Sequence, residues 1–305
     1  MRDPRLLFCG LAWLSITACD AGADPAGVDG SPGDTARPGS PCAGEEDWEI
    51  DGAVDVRWRY YEDERGRDVR DEGHHDGDGI ADNVWEYDWT DGGQLAGKRW
   101  LLRAELWFSQ ETRFDDAGRP VEQRTDGDGD GAVPPDTRTY RYEGDRLVEE
   151  ATDGSSDGVI DQRRRYEYGA AGMIAIVRVD EEDDGSIDEH EVHSYDDSRW
   201  LSRIEYDHPV GGPIEDVERF TWDEAGRLVE QVRDNGQDGA LDFRWTATYD
   251  GEGRLLERSV DSDGDGPWQV QVTRHEYDGQ GRLASVTTTG FHESSLVFQY
   301  DCPDA

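Results

Sequence analysis

An aromatic residue returns at a nearly constant spacing along most of the chain. Between Trp85 and Tyr300, an aromatic, any residue and a second aromatic, often followed by an acid, recur every 26 to 28 residues, and only the last step is shorter. A period of this length is typical of repeat architectures, in which each unit buries its apolar face only against its neighbours. The repeat positions are Trp85/Tyr87, Phe114, Tyr140/Tyr142, Tyr166/Tyr168, His193/Tyr195, Phe220/Trp222, Tyr249, His275/Tyr277 and Phe298/Tyr300, with an imperfect earlier copy at Trp58/Tyr60.

Each unit contains two turns, and the first follows the aromatic pair. In Tyr249–Leu255 and Tyr277–Leu283 an acid, two variable residues and a glycine stand between β-type segments, and an arginine follows the glycine. This spacing predicts a tight hairpin closed by a glycine at positive φ. We expect the arginine to face the aspartate of its turn or to lie on an aromatic ring beside it, where it stabilises the sheet.

The second turn lies farther along each unit and is rich in Asp and Gly. Its template has Asp at the first, third or fifth place, Gly at the sixth and Asp at the ninth, which is the oxygen spacing of the first half of an EF-hand loop. We therefore predict Ca²⁺ as the cofactor of several loops. The predicted metal ligands are Asp76, Asp78, Asp82, Asp126, Asp128, Asp130, Asp153, Asp157, Asp161, Asp180, Asp184, Asp188, Asp234, Asp238, Asp242, Asp261, Asp263 and Asp265.

Two observations qualify the calcium prediction. The acid at position twelve is mostly missing and only Glu191 would fit, so a dissociation constant of about 10⁻⁴ to 10⁻³ M is expected. Asp and Gly are also common hairpin-turn residues, so each loop can instead be a solvated turn. Against this second interpretation, Asp234 and Asp242 flank one reversal and would repel each other unless a cation lay between them. The loop 207–215 has lost the Asp pattern and is not expected to bind metal.

The two turns divide each unit into two short strands. Residues 242–249 alternate Phe243, Trp245, Ala247 and Tyr249 with polar residues, which is the pattern of a half-buried strand. Nine or so units predict an all-β fold, in which tandem β-hairpin repeats form a long antiparallel meander of roughly eighteen strands over residues 47–305. An open sheet rarely exceeds about ten strands, so this one is expected to coil or close on itself around an aromatic ladder.

The Gly-Arg turns resemble the YD or RHS repeats of bacteria, whose hallmark is Tyr-Asp-x-x-Gly-Arg-Leu. The motif is matched at Tyr249–Leu255 and Tyr277–Leu283 and nearly so at Trp222–Leu228. This resemblance implies consecutive hairpins in a long spiralling β-sheet, which in large family members encloses a toxin domain. No toxin domain follows Tyr300 in this sequence, and the units are longer. The acidic loops resemble the calcium loops of thrombospondin and dockerin repeats in spacing.

The first forty residues predict export. Two arginines precede an apolar segment from Leu6 to Ile16, and small residues follow, so residues 1–18 are interpreted as a signal peptide and not as a membrane span. The segment 16–19 resembles the lipobox of bacterial lipoproteins, which implies that Cys19 carries the lipid. The alternative is an ordinary secretory signal. Residues 19–46 are rich in Asp, Gly, Ala and Pro and are expected to form a disordered tether.

Cysteine usage fits an oxidising compartment. Cys9 lies in the signal peptide and Cys19 is assigned to lipid, so Cys42 and Cys302 remain as a predicted disulfide. These two residues bracket the repeat region. Their bridge requires both chain ends to lie close together, which favours a closed or coiled sheet.

Charge and motifs limit the function. The net charge is −41, from 72 acids against 31 bases, which argues against nucleic acid as a partner. No nucleophile elbow, phosphate loop or zinc-type cysteine pair is present, so an enzyme is not expected. We expect a lipid-anchored protein of the bacterial cell envelope whose calcium-stabilised repeats form a structural or adhesion module that binds a surface protein. The alternative is a carbohydrate or cell-wall binding module in which exposed aromatic rings stack on sugars.

Overall fold

The computed structural model describes residues 41–75, 78–127, 135–155, 157–208, 210–264, 270–290 and 292–300. These residues belong to one compact unit, Pro32–Ala305. They contain strands and turns and no helix, which confirms the predicted all-β class.

The meander contains twenty strands. They are β1 (Ala43–Asp47), β2 (Val56–Glu62), β3 (Asp68–His74), β4 (Asn83–Trp89), β5 (Leu95–Leu102), β6 (Glu105–Phe114), β7 (Pro120–Asp126), β8 (Asp136–Glu143), β9 (Arg146–Asp153), β10 (Gln162–Tyr168), β11 (Ile174–Glu181), β12 (Glu189–Tyr195), β13 (Leu201–Asp207), β14 (Asp216–Trp222), β15 (Leu228–Asn235), β16 (Phe243–Tyr249), β17 (Leu255–Asp261), β18 (Val270–Tyr277), β19 (Leu283–Thr289) and β20 (Ser294–Gln299). Each strand pairs antiparallel with its neighbours in sequence.

The sheet closes through its first strand. β1 pairs with β2 on one side and with β20 on the other, so that Ala43 faces both Arg59 and Gln299. Closure leaves neither end strand with unpaired backbone groups, which are the usual liability of a sheet edge. The expectation that the sheet coils or closes is therefore confirmed. Residues 43–46, which the sequence pattern places at the end of the tether, lie in β1 and supply this closing strand.

The first copies of the repeat are offset from the predicted register. β4 ends at Trp89, and the turn begins at Thr90, so Trp89 occupies the position that Tyr249 has at the end of β16. The assignment of Trp85/Tyr87 to that position was two residues too early. The nine hairpins from β2 to β19 account for eighteen strands, and β1 and β20 bring the total to twenty.

One face of the sheet is the main core. Here Trp58, Tyr166, Val177 and Phe298 are buried, and Trp85 stacks on Trp100 with ring centroids 5.9 Å apart. Aromatic residues therefore contribute to this core, and polar groups lie among them. Tyrosine hydroxyls donate to carboxylates of neighbouring strands, from Tyr87 to Asp71 at 2.9 Å, Tyr166 to Glu150 at 3.0 Å and Tyr206 to Glu218 at 3.1 Å. Such bonds reduce the cost of burying polar groups.

Candidate functional site

The hairpin turns alternate between two edges of the closed sheet. All the acidic loops follow odd-numbered strands, and we call the edge that these turns form the loop edge. All the Gly-Arg turns follow even-numbered strands, and we call the edge that these turns form the clasp edge. Antiparallel pairing of consecutive strands places all turns of one kind at the same edge.

At the loop edge, the aspartates bind the backbone of their own loop. In loop 153–161, Asp153 accepts the N–H of Gly158 at 3.0 Å, Asp157 accepts that of Val159 at 2.8 Å, and Asp161 accepts that of Gly154 at 2.7 Å. The pattern recurs in loops 180–188 and 234–242, where Asp188 accepts from Glu181 at 2.8 Å and Asp242 accepts from Asn235 at 2.7 Å. The fifth and ninth positions of all three loops, and the first position of loops 153–161 and 180–188, thus each satisfy a backbone donor that the reversal would leave unpaired.

The same geometry appears in a loop that the sequence pattern missed. Between β1 and β2, Asp47 accepts the N–H of Gly52 at 2.8 Å, and Asp55 accepts that of Trp48 at 2.8 Å. Asp47, Asp51, Gly52 and Asp55 stand at the first, fifth, sixth and ninth places of the template. Extending the template upstream of the first recognised aromatic pair would have found this loop.

The first aspartate of several loops has a buried carboxylate oxygen with no hydrogen-bond partner. Asp153, Asp180 and Asp234 are respectively 8%, 0% and 5% exposed, and one oxygen of each accepts no hydrogen bond from the described residues. For Asp180 that oxygen is 3.5 Å from Arg165, whereas Asp153 and Asp234 form no ion pair within the described ranges. A buried anionic oxygen without a donor is costly, so these atoms are the candidate cation ligands of the loops.

The carboxylates near the start of β8 influence one another's ionisation. Burial, and then the carboxylates of Asp153 and Asp161, raise the pKa of Asp136 above its usual range. Asp136 begins β8, and its neighbour Thr137 pairs with Asp153 across the strands. Three carboxylates are therefore close enough here to repel one another, and a cation would relieve this repulsion.

The predicted metal ligands are only partly described. Asp76, Asp128, Asp130 and Asp265 lie outside the described residues, whereas Asp126 and Asp261 end β7 and β17. Asp78, Asp82, Asp184, Asp238 and Asp263 lie in the described parts of their loops. Within the described ranges, no group of three or more His, Cys, Asp or Glu side chains is arranged to hold a metal ion.

Of the other predicted site residues, only Cys42 is described. Its backbone N–H donates to the carbonyl of Gln299 at 3.0 Å, which places Cys42 beside the end of β20. Cys302 is three residues beyond Gln299, and both Cys302 and the predicted lipidation site Cys19 lie outside the described residues. The described part of the chain contains no apolar helix long enough to cross a membrane.

At the clasp edge, each arginine joins two consecutive units. In the turn 250–254, Asp250 accepts from the backbone N–H and the Nε of Arg254 at 2.9 and 2.6 Å. The guanidinium of Arg254 lies 4.6 Å from the ring centroid of Tyr277, which is the aromatic of the next unit. The Tyr277 hydroxyl donates to the carbonyl of Leu255 at 2.9 Å. The arginine therefore makes both predicted contacts at once, and the second contact crosses to the following repeat.

This clasp recurs around the sheet with substitutions. The arginines that cover a ring of the next unit are Arg67 over Trp89, Arg119 over Tyr142, Arg146 over Tyr168, Arg227 over Tyr249 and Arg282 over Tyr300. In the turn 196–200, Trp200 replaces the arginine and stacks on Trp222 at 5.4 Å. The Arg227 backbone N–H, and then its side chain, hold the pKa of Asp223 below its usual range, so this carboxylate stays ionised and paired.

The geometry defines a class of protein, namely an all-β repeat protein with a closed antiparallel sheet. No known sequence family and no curated protein matches the chain. Solved structures that resemble it include a TcdB2-TccC3-Cdc42 complex, at 15% identity and a TM-score of 0.40 over 81% of this chain. The Tc holotoxin pore of Photorhabdus luminescens aligns at 14% identity and a TM-score of 0.40 over 78% of this chain.

A third solved structure is a porin-like protein from Bacteroides uniformis, at 11% identity and a TM-score of 0.39 over 85% of this chain and 96% of that one. The chain spans 15% and 14% of the length of the two toxin chains. At these TM-scores the alignments carry no argument about function, and the fold described above rests on the strand pairing alone.

Proposed function

We propose that the protein is a lipid-anchored module of the bacterial cell envelope, and that its closed repeat sheet acts as a structural or adhesion element that binds another protein. The anchor is Cys19, followed by a tether that ends where β1 begins. In this proposal the repeat is a variant of the YD/RHS hairpin with lengthened acidic loops.

The contacts of the aromatic rings are the observation that supports this proposal. At the clasp edge, the ring faces are covered by arginine, and their polar ends are bonded to backbone: Tyr168, Tyr249, Tyr277 and Tyr300 each donate to a leucine carbonyl of the preceding unit at 2.8 to 3.0 Å. Rings engaged in this way stabilise the sheet, and the face that the arginine covers cannot stack on a sugar. This supports a structural or protein-binding role over the carbohydrate-binding alternative.

The exposed rings do not repeat. Among the described residues the exposed indoles are Trp48, at 37%, and Trp107, at 38%, which occupy unrelated positions of their units. A carbohydrate module of the kind considered above needs accessible rings at equivalent positions of successive repeats. We expect no retention of the protein on insoluble peptidoglycan or cellulose. Retention that Trp107→Ala abolishes, with the clasp variant Arg254→Ala as a control, would support the alternative.

Calcium binding to the loops is part of the proposal. The Asp153 and Asp234 oxygens that have no partner among the described residues, and the Asp180 oxygen that lies 3.5 Å from Arg165, would be the protein ligands of the best loops, and backbone carbonyls and water would complete the coordination shell. Since no three carboxylates converge in the described parts of the loops, affinity is expected to be weak. A thermal melt at millimolar calcium and with chelator tests this. We expect calcium to raise the Tm of the wild type and less so that of Asp153→Asn/Asp234→Asn; an unchanged wild-type Tm removes the ion from the proposal.

The anchor has a separate test. Cys19→Ser is expected to move the protein from the membrane fraction to the soluble extracytoplasmic fraction, because the acyl chains of a lipoprotein hold it at the membrane. Cys9→Ser lies within the apolar segment and serves as the control. If both variants stay with the membrane, the lipid anchor is refuted.

A further inference from the structure

The exposed apolar side chains gather at the loop edge. Six of the large apolar residues that are exposed among the described residues lie in the turns of that edge, and they are Trp48, Ile50, Ile80, Val159, Val210 and Ile214. Ile80 is 68% exposed and Val159 is 60% exposed. The others, Trp107, Val192, Leu256 and Val297, lie on strands, and no such residue is found in the described turns of the clasp edge. A loop that merely reverses the chain does not require exposed isoleucine or valine.

The loop edge is also the acidic edge. Its described turn residues include sixteen Asp or Glu, three His and a single Lys or Arg, Arg103. At the clasp edge, acids are compensated by the arginines of the same turns, as in Asp115 with Arg119 and Asp278 with Arg282. The negative potential of the protein is therefore concentrated on the edge that also exposes apolar groups.

Several carboxylates of the loop edge are exposed and accessible to a binding partner. Many loop aspartates accept bonds from their own backbone, but Glu49, Glu182 and Glu215 project from exposed positions of three different loops. Two of the exposed apolar residues are sequence neighbours of such acids. Ile50 follows Glu49, and Ile214 precedes Glu215. An edge of this kind combines apolar surface, which gains from leaving water, with carboxylates that select the sign of the partner.

We propose that the loop edge is a docking surface for a protein segment that presents lysine or arginine together with apolar side chains. This inference rests on the proposed protein-binding function and names the surface and the chemistry of the partner. Charge decides among possible occupants. A second copy of this chain would bring an equally acidic edge, and an anionic membrane surface or a nucleic acid would be repelled, whereas a basic amphipathic polypeptide is attracted and covers the exposed apolar groups.

The first arm of the test uses a fluorescent 18-residue peptide of lysine and leucine, amphipathic as a helix, with binding followed by anisotropy in the presence of chelator. Glu49→Gln/Glu182→Gln/Glu215→Gln removes three charges from the loop edge. Glu64→Gln/Asp116→Asn/Glu224→Gln removes three exposed charges from the clasp edge and is the matched control. We expect the loop-edge variant to raise the Kd about tenfold and the control to change it less than about twofold. Equal effects of the two variants, or no binding to the wild type, overturn the proposal.

The second arm isolates the apolar contribution. Ile80→Ser/Val159→Ser is compared with Leu256→Ser/Val297→Ser, which alters residues exposed on strands. Only the first variant is expected to weaken peptide binding, by about fivefold or more. A thermal melt establishes that every variant is folded. If Ile80→Ser/Val159→Ser binds like the wild type, the apolar residues have no docking role and the proposal fails. The Cys19 and calcium experiments do not depend on this peptide, so failure of the docking surface is distinguishable from failure of the envelope module.

Discussion

Asp71 should make this protein less stable as the pH rises. Asp71 is 5% exposed, and among the described residues its Oδ1 has no hydrogen-bond partner and its Oδ2 accepts only from the Tyr87 hydroxyl. Burial raises the pKa of Asp71 from 3.8 to about 7; the Tyr87 bond opposes this rise, and the carboxylate of Asp68 adds to it. The free-energy equivalent of a change of this size is about 4 kcal/mol.

The sign follows from proton linkage. The folded protein holds this proton more tightly than the unfolded chain does, so the contribution of Asp71 is fully present below about pH 4. The free energy of unfolding then falls as the pH rises towards 7 and stays at the lower value above it. Asp71→Asn removes this titration, and its amide oxygen can still accept from Tyr87.

Urea unfolding of both proteins at a series of pH values measures the effect. Relative to the wild type, Asp71→Asn should gain about 3 kcal/mol of stability between pH 4.5 and pH 8.5. Asp116→Asn, an exposed aspartate of a clasp turn, is the control and should show no such trend. A difference between Asp71→Asn and the wild type that varies by less than about 1 kcal/mol over this range would refute the reasoning, since it would mean that Asp71 is ionised and solvated in the folded protein.

Three further predictions concern packing and turns. Val217→Ala should lower the free energy of unfolding, measured with urea, by about 2 kcal/mol, because Val217 is 0% exposed and the lost methyl groups leave a cavity. Val297 is 47% exposed, so Val297→Ala should lower the free energy of unfolding far less. Gly226→Ala should lower the Tm clearly, since Gly226 has φ +77° and a Cβ there would overlap the Trp200 ring. Gly251 has open space around it, so Gly251→Ala should leave the Tm unchanged. Equal Tm values for the two variants would contradict the assigned turn geometry. Arg254→Ala should lower the Tm more than Arg274→Ala does, because Arg254 bonds Asp250 and covers Tyr277, whereas Arg274 makes an exposed ion pair with Glu257; equal melting would show that the clasp is not stabilising.

The positions of the acidic loops could be predicted from the sequence, because each loop is formed by neighbouring residues. The loop template located the acidic loops after β3, β7, β9, β11, β15 and β17, because the spacing of aspartate and glycine is set by the backbone of one hairpin. It missed the loop 47–55, which precedes the first recognised aromatic pair. It also gave no sign that Asp180 is fully buried while Asp184 is exposed, since burial depends on the neighbouring strands.

The sequence by itself determined the repeat, the alternation of two turn types and the all-β class, because period, glycine placement and strand alternation are properties of neighbouring residues. Only the tertiary structure decided that β1 joins β20, that Arg254 covers the tyrosine of the following unit, and that Asp71 lies against Tyr87 in a buried face. These contacts form between strands whose order and curvature are fixed by pairing around the whole sheet. No single repeat contains the information on where the two ends of the meander meet.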